Sequence, residues 1–184
     1  VVILFTYQQL NKPLEKPQYN YKQHSHRILY VDNGFSDEKK EIITHAALNW
    51  NTRTKGIIQF DVVMLPTQEP LDVVNGIVIE EVSEYDPDIL SLDEKNQAIT
   101  LGYYSGHGHI PSISLVAARI DKDDYHSVIL HELGHSLGLN HKIGHDGIGT
   151  LMYPSIEMSA ENITDTDIED LCKIYECDPN KLNN

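Results

Sequence analysis

The sequence predicts a single α+β domain built on a mixed sheet, and three features carry that expectation. A short strand leads into an amphipathic helical stretch, segments rich in β-branched residues follow, and two more helical stretches come after them. With 184 residues, 40% of them hydrophobic, the chain can bury one good core but not two comfortable ones.

The opening Val1 to Phe5 is apolar and lacks a basic segment before it or a small-residue cleavage site. It reads as the start of a trimmed or mature chain, either adding a strand or belonging to a leader or pro-segment. Residues 8–27 are polar, carry Pro13 and Pro17, and show no periodicity, so residues 1–26 are set apart as an N-terminal arm or pro-segment remnant. The packed domain then runs from Arg27 to the end.

Ile28 to Val31 reads as a strand stopped by the turn signal Asp32-Asn33-Gly34. Ser36 is a plausible N-cap for a helix from Asp37 whose Ile42, Ile43, Ala46, Ala47 and Trp50 share one face, with Asp37 and Glu38 at its electropositive end. Ile57 to Leu65 and Val73 to Val82 read as strands, separated by Pro66 and Pro70. Asp86 to Asn96 reads as a polar connection, Ala98 to Tyr104 as a strand, Ser105 to His109 as an open loop, and Ile113 to Ile120 as a further strand. Tyr125 to Leu137 is a helix ending at Gly138, which is suited to a left-handed cap. A last helix spans about Thr164 to Tyr175, with Thr164 as N-cap, Asp165 and Asp167 in its first turn, and Ile168, Leu171, Cys172 and Tyr175 as its buried stripe.

A net charge of -14 gives no electrostatic footprint for nucleic acid or anionic lipid. No apolar run approaches the roughly 18 to 20 residues that span a bilayer, so a soluble chain is expected. Calcium is a minor expectation beside plain solvation of the acidic surface. Cys172 and Cys177 either bridge locally, which implies an oxidising compartment, or leave Cys172 as a small buried residue.

Chemistry concentrates in one helix. His131 and His135, four residues apart, project from the same face and can reach one zinc ion. Glu132 sits one position along, where a carboxylate can act on a metal-bound water as general base without being a ligand. Gly138 can turn the chain so that His141 returns to the same ion, and three imidazoles leave the open position that distinguishes catalytic from structural zinc. Residues 131–141 fulfil the whole HExxHxxGxxH pattern, and Met152 follows at a distance fit for a Met-turn. His107 and His109 could bind a second metal but are read as solvent-facing loop residues, and His24, His26, His45, His126 and His145 are read as structurally ordinary.

On these residues, with Leu151-Met152-Tyr153-Pro154, the stretch Ile42 to Trp50 and the stripe Ile163 to Tyr175, the chain resembles the metzincin metallopeptidases and most closely their matrixins. The resemblance implies a twisted, mostly parallel five-stranded sheet over an active-site helix, with a smaller helical subdomain from about residue 142 below a horizontal cleft. It also implies an endopeptidase with one catalytic zinc, a protein or peptide substrate, a monomeric state and a secreted or extracytoplasmic setting. Met152 would form the floor under the zinc. Substrate would add as a strand along Ala98, Thr100, Leu101 and Gly102, with an apolar pocket walled by Tyr153, Pro154 and Ile156. Three departures stand out: Lys142 follows the third histidine where matrixins carry Ser, the link from His141 to Met152 is a little longer than in matrixins, with Gly144-His145-Asp146-Gly147 filling it, and no cysteine precedes the motif to serve as a pro-segment switch. The competing expectation is a catalytically weak, zinc-containing peptide-binding domain, against which Glu132 weighs.

Overall fold

The computed structural model describes residues 3–7 (as backbone), 25–65, 76–106 and 110–182. Alternation of apolar and polar residues produces the strands: in β2 (His26–Val31) Arg27, Leu29 and Val31 turn inward while their neighbours are exposed or half-buried. β3 (Gln59–Met64) and β4 (Gly76–Glu81) pair with it on either side, both parallel. β6 (Ser112–Leu115) adds parallel to β4, and β5 (Ile99–Ser105) pairs antiparallel with β6. The sheet does not stop there. β1 (Ile3–Tyr7) lies parallel to β5 on its outer side, giving six strands in the order β1-β5-β6-β4-β2-β3.

Two expectations change accordingly. The expected five-stranded, mostly parallel sheet is present as β2 to β6, and the apolar opening residues add a sixth strand to it; β5, along which substrate was expected to add, is thereby covered by β1. Residues 8–24 of the expected arm, residues 66–75 and the loop residues His107 and His109 lie outside the described residues.

α1 (Asp37–Arg53) begins where Ser36 accepts from the Lys39 amide and buries Ile43, Ala46, Ala47 and Trp50, while Ile42 is only partly covered. The segment expected to be a polar connection contains a helix, α2 (Pro87–Asn96). Asp86 caps it through the Asp88 amide, Pro87 occupies the first turn, where no amide partner is lost, and Ile89 and Leu92 are its buried contacts. The expected strand Ile113 to Ile120 ends early, its second half folding as a 3-10 turn, Ala117–Arg119. α3 (Tyr125–Ser136) packs on both α1 and β5, so the metal-ligand motif sits against the sheet.

α4 (Asp165–Tyr175) starts in a capping box between Thr164 and Asp167. Asp167 does more than cap. Its buried carboxylate accepts from the Thr164 amide at 2.8 Å and hydroxyl at 2.6 Å, and also from the amides of Leu151 at 3.0 Å and Met152 at 3.3 Å. One side chain thus fixes both the helix and the turn around Met152. Beyond the helix, Cys172 and Cys177 form a disulfide, which resolves the alternative left open by the sequence.

Replacing Asp167 with Ala would strand several buried donors, each worth about 1–3 kcal/mol when unmet. The expected loss is on the order of 3 kcal/mol in urea unfolding, whereas a change within about 0.5 kcal/mol, typical of an unimportant surface site, would remove Asp167 from this role.

Candidate metal centre

Two contacts fix the motif helix from outside. The Trp50 indole N–H donates to the Leu130 carbonyl at 3.1 Å, and Arg27 donates from β2 to the Ser136 carbonyl at the helix C-terminal end, where a cation also suits the helix dipole. His131 and His135 share one buried face of this helix. Gly138, at φ 94°, turns the chain out of α3 in a conformation that costs a glycine little, and His141 returns to meet them.

The three Nε2 atoms stand 3.1 Å from one another, pair by pair. His131 Nδ1–H donates to the Leu151 carbonyl at 2.7 Å, and His135 Nδ1–H to the Leu139 carbonyl at 2.9 Å. Because a carbonyl can only accept, both rings are held in the tautomer that turns an Nε2 lone pair toward the common point. Burial pushes His135 down to about 3 and His141 to about 4, and His131 well below its ordinary value, so the rings are neutral at physiological pH. Three neutral imidazole lone pairs aimed together repel unless a cation lies among them. Tetrahedral zinc, with bonds of about 2.0–2.1 Å, separates its ligand nitrogens by roughly 3.3 Å, close to the spacing observed. The residues present fit zinc. Among the described residues they form the one group of three or more His, Cys, Asp or Glu able to hold a metal, so the minor expectation of calcium gains no support.

Glu132 is fully buried, and its carboxylate is not part of that ligand group. Neither oxygen has a hydrogen-bond partner, and burial raises its pKa well above the ordinary value, with a smaller opposing pull from the backbone of Tyr104. It faces β5: a Cβ placed on Gly102 would stand 3.2 Å from Glu132 Oε1. Beneath the helix, Met152 is buried and packs so closely on Gly134 that a Cβ there would lie 2.6 Å from its sulfur. Met152 therefore packs against α3 between the positions of His131 and His135.

The residues expected along the substrate path are placed unevenly. Ala98 precedes β5 and belongs to the turn out of α2; Thr100 and Leu101 are buried, and the Thr100 amide is taken by the Asp93 carboxylate at 2.7 Å. The Val116 amide donates to Leu101 O at 2.8 Å, so by strand alternation Gly102 and Tyr104 turn their main chain to the outer side. Tyr153, Pro154 and Ile156 are half-buried around the turn after Met152. Asp167 was singled out by sequence only as a first-turn acid; its reach to Leu151 and Met152 carries no local signal.

Histidines clustered on a helix above a methionine turn, with a free carboxylate beside them, place the chain among zinc metallopeptidases of metzincin type. The matrixin family model matches residues 18–176, and the chain belongs to the matrixin family. Among solved structures it is similar to myroilysin (10% identity, 83% of this chain and 84% of that one, TM-score 0.47). It is also similar to an archaemetzincin from Methanopyrus kandleri (13% identity, 83% and 97% coverage, TM-score 0.48). No curated protein matches.

Replacing His141 with Ala leaves two imidazoles, and zinc affinity measured against a competing chelator is expected to fall by at least about 100-fold, given the cost of a missing ligand. Unchanged affinity would exclude His141 from the centre.

Proposed function

We propose that the chain is an endopeptidase that hydrolyses extended protein or peptide substrates, with Glu132 as general base. The observation that carries this reading is a fully buried carboxylate beside the histidine cluster that belongs to no ion pair and stands outside the ligand set. Such a group is costly to keep, and a structural zinc site would have no use for it. Zinc held by His131, His135 and His141, one per chain, would supply Lewis-acid polarisation of the peptide carbonyl and acidify a bound water to a pKa of about 7. Glu132 takes the proton from the attacking water at a carboxylate oxygen, and burial favours the protonated carboxyl that results. The buried floor of Met152 keeps the ligand histidines from shifting during the reaction.

An extended peptide would run along the outer side of β5, to which the main chain of Gly102 and Tyr104 turns and which β1 occupies in this structure, so substrate takes its register from backbone contacts there only where β1 gives way. The segment Tyr153, Pro154 and Ile156 provides an apolar wall next to the centre. The Cys172–Cys177 bridge supports an extracytoplasmic setting, and the chain is taken to act as a monomer.

Glu132→Ala is expected to retain zinc by metal analysis while peptide turnover falls by at least about 100-fold, the usual worth of a positioned base. Turnover near the unaltered level would remove Glu132 from the role of general base. Cleavage of a proteome-derived peptide library is expected to stop under zinc chelation and to favour an apolar residue just after the scissile bond, by about 1–3 kcal/mol. A preference for charged residues there, or removal of chain termini only, would overturn the apolar wall and the endopeptidase reading.

A further inference from the structure

Gly102 is the only residue of β5 without a side chain, and its backbone does not call for glycine: φ is not positive there, and the strand is extended. The cause is space. A Cβ added at Gly102 would stand 3.2 Å from each of three atoms, Cγ and Oε1 of Glu132 on α3 and Cδ2 of Leu115 on β6. Nonbonded carbons rest at about 3.5–4.0 Å, so a neighbour would have to give way. Leu115 is completely buried in the main core, and the antiparallel ladder sets it directly opposite Gly102. Glu132 is just as buried, but it belongs to no ion pair among the described residues and stands outside the ligand set. Of the two side chains, Glu132 has the less to hold it.

We infer that Gly102 is a positioning residue for the Glu132 carboxylate: the space left by its missing side chain seats Glu132 against β5, and so sets where the carboxylate stands relative to His131, His135 and His141. The effect on turnover rests on the reading of Glu132 as general base, whereas the seating itself does not. Glycine inside a strand costs order and forgoes packing. Here the missing packing is supplied by a side chain from another element. Two of the imidazoles are held independently of β5, by the carbonyls of Leu151 and Leu139. A side chain at position 102 would therefore displace the carboxylate while leaving the ligand rings in place, which separates water activation from metal binding at this one residue.

The test uses the full, zinc-loaded chain and Gly102→Ala. Zinc affinity and KM are expected to stay unchanged while kcat falls by about tenfold, since a misplacement of about 1 Å costs roughly 100-fold and the shift here is a few tenths of that. Adding Glu132→Asp, which withdraws the carboxylate by one methylene, is expected to cost less turnover on top of Gly102→Ala than it does alone. Urea unfolding reads the same contact without catalysis. Its midpoint is expected to fall on Gly102→Ala in the unaltered chain and in a Leu115→Val background, but not in a Glu132→Ala background, where the space is vacated. Unchanged kcat, a fall in kcat that comes with lost zinc, or a midpoint cost that persists with Glu132→Ala or disappears with Leu115→Val would overturn the inference. If even the unaltered chain cleaves no peptide while the midpoints follow the expected pattern, the seating stands and the endopeptidase reading falls. Should Gly102→Ala not fold, the Gly102→Ala/Glu132→Ala double variant decides: its folding supports the seating, and its failure to fold overturns it.

Discussion

Three imidazole nitrogens held 3.1 Å apart, lone pair toward lone pair, set the main constraint on this structure. Zinc would satisfy those lone pairs, and burial keeps the rings in the neutral form that can bind it. The fold must also aim the rings at one point. Two of the Nδ1–H groups are tied to carbonyls, and those carbonyls belong to segments that are themselves fixed: Leu139 in the turn at Gly138 and Leu151 in the turn at Met152.

Following those ties outward explains why separate parts of the chain converge on α3. Trp50 from α1 bonds the carbonyl just before His131, Arg27 from β2 bonds the helix end just after His135, and the Met152 sulfur presses on Gly134 between the two ligands. Asp167 extends the network into α4 by accepting from Leu151 and Met152. A displacement of α4 would thus reach His131 through a single peptide unit, since the Leu151–Met152 unit gives its N–H to Asp167 and its carbonyl to the ring. Such preorganisation is what lets a metal site keep an open position without collapsing.

Much of this was legible in the sequence because its signals are local. Spacing placed the histidines on one helical face, Gly138 marked the turn, and Ser36 and Thr164 capped the helices they were expected to cap. What escaped had non-local or ambiguous causes. The run Asp86-Pro87-Asp88 carries turn chemistry, yet the same residues are a good N-cap with proline at the first helical position; only the burial of Ile89 and Leu92 separates the readings. The apolar residues of β1 left two readings open because pairing with β5 joins residues nearly a hundred positions apart. Asp167 looked like an ordinary first-turn acid for the same reason, its second pair of partners being 15 and 16 residues away.

The departure at Lys142 is accommodated by the same logic. Its side chain does not turn to the histidine cluster; it reaches Asp170 on α4 at 2.8 Å, while its amide donates to the Met152 carbonyl at 2.9 Å. That backbone bond joins the two ends of the segment between His141 and Met152, so the residues between them form a closed surface loop. Ile143 and Ile148 are exposed there, 76% and 52%, and contribute little to the core. Extra length in a loop clamped at its base costs only the slow logarithmic increase in closure entropy, about 0.6 kcal/mol for a doubling. The position after the third histidine is therefore free to vary so long as its backbone keeps the clamp, and in this chain its side chain serves the joint with α4 rather than the metal centre.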